Sequence, residues 1–357
     1  MSRTRQLLRR EITYSSAKDE ENRFFSHLNN HQDWIKNIVA HHLNLNSPDA
    51  CHVSNVENWL HGSCNVCIPI TVGTRSAKQV ILRLPLPYRV GEEFMPGNGD
   101  EKVRCEAGTY AWLQGNCPDV PIPELYGFGL STGETFTCSE NLPLLYKWTH
   151  SIWRRVFAWL GIGSFIIDHE GVLILANRPL SIEIQQLENE HIPTDMHHDY
   201  TYSTVDSYVA DVLTFHDNRF RYQPNAVNNL GDCVFQLSSL SAMRTISKSF
   251  FQREFRRGPF VFSLTDLHQS NIFVDADWNI TCLVDLEWAC SLPIEMIRPP
   301  HWFTNMGVDE LVPSEYEKLR AEFMDALIAE EQEMAGKHNS PLLSDVMSKT
   351  WATGTFW

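Results

Sequence analysis

The sequence predicts an α+β fold in two lobes, and three features of the pattern lead to it. Two apolar strand-like runs, Cys64–Val72 and Lys78–Leu84, lie in the first half. Segments with helical spacing dominate the second half. Between the later helices sits a loop bounded by strands, Phe260–Leu264 before it and Ile280–Val284 after it. A chain of 357 residues, 43% hydrophobic and 20% charged, has enough apolar material for a large core. The expected lobes are residues 1–160, an N-terminal extension with a sheet and a helix, and residues 161–357, mainly helical, with a boundary near Gly161.

In chain order, a helix is expected over Asn22–Leu43, where Phe24, Phe25, Leu28, Trp34, Ile35, Ile38 and Val39 recur at helical spacing. The two strands follow, joined by Gly73-Thr74-Arg75-Ser76, and Pro85 and Pro87 end the second. Arg89–Asp100 reads as a loop, and Glu101–Leu113 as a helix stopped by Pro118, Pro121 and Pro123. Glu124–Phe128 begins an extended segment. Leu142–Leu160, aromatic and basic, is expected to be helical, as is Leu180–Glu190. Thr204–Asn218 is a helix capped by Ser203 or Thr204, with Val205, Tyr208, Val209, Val212 and Phe215 along one face. Leu237–Phe255 reads as a long amphipathic helix ending at Gly258-Pro259, and a helix over Pro313–Ala335 closes the pattern.

Composition excludes several classes of function. A net charge of −15 offers no general attraction for nucleic acid or anionic lipid. The longest apolar stretches fall short of the ~20 residues that span a bilayer. The basic opening, Met1–Ser16, lacks the apolar core of a secretory signal. Nine scattered cysteines suit reduced thiols in the cytoplasm better than a disulfide framework. Cys64 and Cys67 are spaced as a zinc half-site, but no second pair completes it, and they read as small apolar strand positions.

The chemistry concentrates between Phe260 and Ala289. One strand delivers Asp266 into a loop, Asn271 leaves that loop into another strand, and a further strand delivers Asp285 at its end. A carboxylate, an amide and a second carboxylate are thereby set at adjoining strand ends. Mg²⁺ prefers hard oxygen ligands, which Asn271 and Asp285 supply beside nucleotide phosphates. Asp266 is placed to accept a hydrogen bond from a substrate hydroxyl and to orient it for in-line attack. Glu287 has two readings, a further metal ligand or a partner for a basic group, and His268 is expected to brace the loop.

Asp266-Leu267-His268-Gln269-Ser270-Asn271 resembles the catalytic loop of the aminoglycoside phosphotransferase and choline-kinase-like family. Asp285-Leu286-Glu287-Trp288-Ala289 resembles that family's metal-binding motif. The run from Gly258 to Pro300 is similar to a fungal branch of the family. The resemblance implies a bilobal protein-kinase-like fold: an N-lobe antiparallel sheet plus helix, and a mainly helical C-lobe with a catalytic β hairpin. It implies ATP and Mg²⁺ as cofactors, Asp266 as catalytic base, and Asn271 and Asp285 as metal ligands. The implied activity is transfer of the γ-phosphoryl group to a hydroxyl of a small molecule, in the cytoplasm, with neither nucleic acid nor membrane as partner. Upstream, the turn with Gly62, Ser63 and Asn65 resembles the hairpin that covers the phosphates. Arg83 stands where the family has its phosphate-binding Lys, and Glu106 matches the Glu that holds that cation.

Four departures set the chain apart. Leu264-Thr265 replaces the His-Gly that precedes the catalytic Asp, and Arg83 replaces Lys. After Gly161 the sequence runs into Gly163–Asp168 and Leu173 without a hinge-like segment, and it stops at Thr355-Phe356-Trp357 where relatives run on. The last two read as a deletion or an imperfect gene model, with loss of much of the adenine contact. The alternative function is therefore a catalytically impaired pseudokinase acting as a binding or scaffold module. For a cationic acceptor, Asp199, Asp206, Asp309 and Glu310 are the acidic candidates.

Overall fold

A computed structural model describes residues 18–73, 77–138, 178–307, 310–334 and 342–354. It is mixed α and β with small antiparallel sheets, as expected of an α+β chain. Two units are distinguished. The first comprises residues 18–112, 124–138 and 185–191, and the second residues 113–123, 178–184 and 192–354. The expected boundary at Gly161, the helix Leu142–Leu160, the run Gly163–Leu173 and the turn residues Thr74–Ser76 lie outside the described residues.

In the first unit the opening helix is two helices, α1 (18–30) and α2 (Gln32–His42), where the sequence predicts one. The break falls at His31, whose N–H bonds the Leu28 carbonyl three residues back and whose φ and ψ are −114° and 33°. Asn29 and Asn30, weak helix formers, precede it. The sheet is built on β3 (Asn65–Val72), which pairs along its whole length with β4 (Lys78–Pro85). Its other edge is shared by two short strands, β1 (Cys51–Val53) and β2 (Leu60–His61). Period-two alternation turns Val66, Ile68, Ile70 and Val72 inward, onto Ile35, Val39, Trp59 and Val80. Pro69 is tolerated in this central strand because its polar edge faces the gap between β1 and β2. There its carbonyl accepts from Ser54 N–H at 3.1 Å, so no ladder donor is missed.

Helix α3 (Asn98–Asn116) starts three residues before the expected position. Both oxygens of the Glu92 carboxylate accept from backbone N–H groups at its first turn, Gly97 at 2.8 Å and Gly99 at 2.7 Å. Asn98, fully buried, donates to the Val90 carbonyl and to Glu188, each at 2.8 Å. Beyond Glu124 a small hairpin forms from β5 (Gly127–Gly129) and β6 (Thr135–Thr137). It closes on α2 through Thr137, hydrogen-bonded at 2.8 Å to Nδ1 of the buried His42.

Helix α4 (Ile182–Asn189) lies within the expected Leu180–Glu190. In the second unit, α5 (Val205–Tyr222) is capped by Thr204, which accepts from Ser207 N–H. Helix α6 spans Leu230–Phe250 and not Leu237–Phe255. Asn229 caps it seven residues early, accepting from Asp232 N–H, and it stops because Gln252 N–H is drawn to the Glu295 carboxylate. The strands here form two separate pairs. β7 (Phe260–Leu264) pairs with β10 (Ala289–Pro293), and β8 (Ile272–Val274) with β9 (Ile280–Leu283). Helices α7 (Pro313–Met334) and α8 (Leu343–Thr353) complete the unit. Tyr316, fully buried on α7, donates to the Pro299 carbonyl at 3.0 Å and ties that helix to the chain after β10. No helix among the described residues is long and apolar enough to cross a membrane.

Candidate functional site

The β7–β10 and β8–β9 pairings draw three sequence-predicted residues to one set of strand ends. Leu264, at the end of β7, lies opposite Ala289, at the start of β10. Asp266 is two residues beyond the first and Asp285 four residues before the second. In the other pair Ile272 lies opposite Leu283, so Asn271 enters β8 where Asp285 leaves β9. A backbone bond from Val284 N–H to the Asn271 carbonyl, 3.0 Å, extends that ladder to the residue beside Asp285. The Asn271 side chain donates from Nδ2 to the Asp266 backbone carbonyl at 3.0 Å. Asp266, Asn271 and Asp285 thus share one backbone framework.

Two local features bear on metal chemistry. Commitment of Nδ2 to the Asp266 carbonyl orients the Asn271 amide, leaving Oδ1 as its acceptor, approached by the Ser270 hydroxyl at 3.4 Å. Asp285 holds φ at +58°, the left-handed region that most residues avoid. Backbone strain of this kind gathers where a side chain must be aimed. Asp285 and Asp266 are partly exposed, whereas Asn271 is buried. Glu287, only 2% exposed, is turned to the interior. Among the described residues no group of three or more His, Cys, Asp and Glu gathers to hold a metal. An amide oxygen and one carboxylate still suit Mg²⁺, which commonly keeps waters and substrate phosphates as its remaining ligands.

The loop between these residues is braced on both sides of Asp266. Thr265 donates twice to the Trp288 carbonyl, from N–H at 2.8 Å and from Oγ1 at 2.6 Å. That brace was not read from the sequence, where position 265 stood out only as a departure from Gly. His268 caps the short 3₁₀ turn Gln269–Asn271, its Nδ1 accepting from Ser270 N–H at 3.3 Å. Its ring faces Trp302, centroids 5.7 Å apart, a neighbour that no local sequence signal indicates. His301, next in line, is held below the usual histidine range by burial, with the nearby His268 adding in the same direction.

The remaining candidates belong to the first unit. Gly62 and Ser63 are exposed in the β2–β3 turn, closed by a 3.0 Å bond from Gly62 N–H to the Asn65 carbonyl. A Cβ at Gly62 would meet nothing within 4 Å, so the fold itself does not demand glycine there. Asn65 is buried at the start of β3. Arg83 on β4 and Glu106 on α3 approach to 3.5 Å, with side chains 23% and 18% exposed. Of the acidic candidates for a cationic acceptor, Asp206 lies 3.7 Å from Arg256, Asp199 and Glu310 are exposed, and Asp309 is outside the described residues. Cys64 and Cys67 are each partly buried.

Comparison with known proteins finds no matching family model, no matching curated protein and no matching solved structure.

Proposed function

We propose that the chain is an ATP-dependent phosphotransferase of bilobal, protein-kinase-like fold that phosphorylates a hydroxyl of a small molecule. The observation that supports this most is the convergence of Asp266, Asn271 and Asp285 on the joined ends of β7–β10 and β8–β9, with Asp285 in left-handed backbone. In this reading Asn271 Oδ1 and the Asp285 carboxylate hold Mg²⁺, which neutralises charge on the transferring phosphate. Asp266 accepts a hydrogen bond from the acceptor hydroxyl and takes its proton as the new P–O bond forms and the γ-phosphorus–oxygen bond to the departing ADP breaks. Holding these oxygens in place before reaction is the main contribution required of the protein. In the other unit, the Arg83–Glu106 pair agrees with a cation held for phosphate contact, with Arg serving where Lys is usual.

The test is transfer of labelled γ-phosphate from Mg·ATP to a panel of hydroxyl-bearing small molecules, with Asp266→Asn as control. Product formation that the control lowers by about 10²–10⁴-fold is expected of a general base. Mg·ATP binding without transfer to any acceptor favours the pseudokinase reading, to which Leu264 and Arg83, the departures from the family motif, also point. Absence of Mg·ATP binding by folded protein rejects the phosphotransferase and likewise favours a pseudokinase scaffold.

A further inference from the structure

We infer that Trp302 is a positioning residue for the Asp266–Asn271 loop, acting through the ring of His268; its catalytic consequence rests on the phosphotransferase reading above. The loop residue that orients the others is Asn271, and what precedes it is a single 3₁₀ turn over Gln269–Asn271. Its side-chain cap is His268, whose Nδ1 accepts from Ser270 N–H at 3.3 Å and lies 3.2 Å from the Ser270 hydroxyl. This bond forms only while the imidazole holds one rotation about its side chain, because Nδ1 has one lone pair and accepts in the ring plane. His268 is only partly buried, so burial within the loop alone does not fix that rotation.

Trp302 supplies the restraint. Its ring lies against His268 at 5.7 Å and an interplanar angle of 56°, within the range of favourable aromatic pairs. Trp302 is in turn held from behind. Phe303 meets it edge-on at 5.3 Å, and Phe323 on α7 meets Phe303 at 5.6 Å. The 3₁₀ turn that bears Trp302, His301–Thr304, follows the chain that Tyr316 anchors through the Pro299 carbonyl. A line of rings therefore runs from α7 to the cap of the loop. It stands on the opposite side of Asp266 in sequence from the Thr265–Trp288 brace. The two together hold Asp266 from before and after.

Two measurements test this on the full chain. The first is amide hydrogen exchange across 264–274, which needs no nucleotide. Trp302→Leu is expected to speed exchange at Ser270 and Asn271 by about three- to tenfold, the size of one lost aromatic contact. Thr265 should be unchanged, and Trp302→Phe, which keeps a ring, should restore most of the protection. His268→Ala, which removes the acceptor itself, sets the full size of the effect, and Trp302→Met replaces Trp302→Leu should that variant fail to fold. The second is slow hydrolysis of ATP by water at varied Mg²⁺. Trp302→Leu and His268→Ala should each raise the Mg²⁺ needed for half-maximal rate by a similar factor. The double variant should be no worse than either single one, as for residues acting in series. Unchanged exchange at Ser270 in folded Trp302→Leu, or additive effects in the double, overturns the inference. Wild-type protein that neither binds nor hydrolyses Mg·ATP rejects the phosphotransferase reading instead, and leaves the exchange result to decide the brace.

Discussion

Replacing Asp285 by glycine and, separately, by alanine isolates the backbone from the carboxylate at the position assigned to metal. Both variants lose every contact the carboxylate makes, so their difference reports the conformation at φ +58°. There, alanine's Cβ crowds the following carbonyl at a cost of about 1–2 kcal/mol that glycine does not incur. Glycine's greater freedom in the unfolded chain offsets about 0.4–1 kcal/mol of that. The net expectation is that Asp285→Gly is more stable than Asp285→Ala by about 1 kcal/mol, or ~2–4 °C in Tm for a protein of this order of size. Urea denaturation in metal-free buffer measures it, with equal slopes needed for the comparison to be valid. Asp285→Asn should fall nearer to glycine, since Asn adopts this backbone more readily than alanine. None of the three should keep Mg·ATP binding at the wild-type level. An alanine variant at least as stable as the glycine variant refutes the left-handed backbone, and with it the argument that strain there serves to aim the carboxylate.

Two further predictions concern histidines. A Cβ at Gly127 would stand 2.2 Å from His42 Nδ1 and 2.6 Å from the Phe136 carbonyl, so Gly127→Ala should displace His42 from Thr137. Loss of that bond and overpacking together should cost about 2–4 kcal/mol in chemical denaturation, and clearly less in a His42→Ala background. The second prediction is a fall in stability with acid. Burial holds His42 below the ordinary histidine value, and the adjacent His41 adds to this. His216 is lowered as well, again by burial, against the opposing pull of Glu183. A lowered native pKa means that the unfolded chain takes up protons first. Stability is therefore full above about pH 6.5 and is lost as pH falls from there through the native values. Each histidine contributes at most about 1.4 kcal/mol per pH unit, and His42→Gln should reduce the slope of stability against pH between 6.5 and 5.

What was legible in the sequence follows the strength of local signals. The apolar run Cys64–Val72 reads as a strand, and the structure forms β3 over Asn65–Val72, paired with β4 in full register. Thr204 before α5 and Pro313 at the start of α7 are start signals that act within one turn, and both elements begin there. The failures were long-range. Nothing near Phe250 shows that α6 must stop, because its terminator is Glu295, 43 residues beyond Gln252. The partner of β7 is Ala289–Pro293, whose small residues and proline lack the alternation of a strand. At the candidate site, the identities of Asp266, Asn271 and Asp285 were readable from their order around strands. The left-handed backbone at Asp285, the double bond from Thr265 and the ring of Trp302 were not. Each depends on segments distant in sequence that come together only in the folded unit.

The central claim is that Asn271 and Asp285 form a metal–nucleotide site, and its most direct test is the melting of the full chain with Mg²⁺ and ATP. Ligand at about 100 times its Kd adds about 2.7 kcal/mol to the native state. The Tm of the wild type should rise only when Mg²⁺ and ATP are both present, and the rise should disappear in Asp285→Asn. No rise in wild-type protein that melts cooperatively, or the same rise in Asp285→Asn, would contradict it.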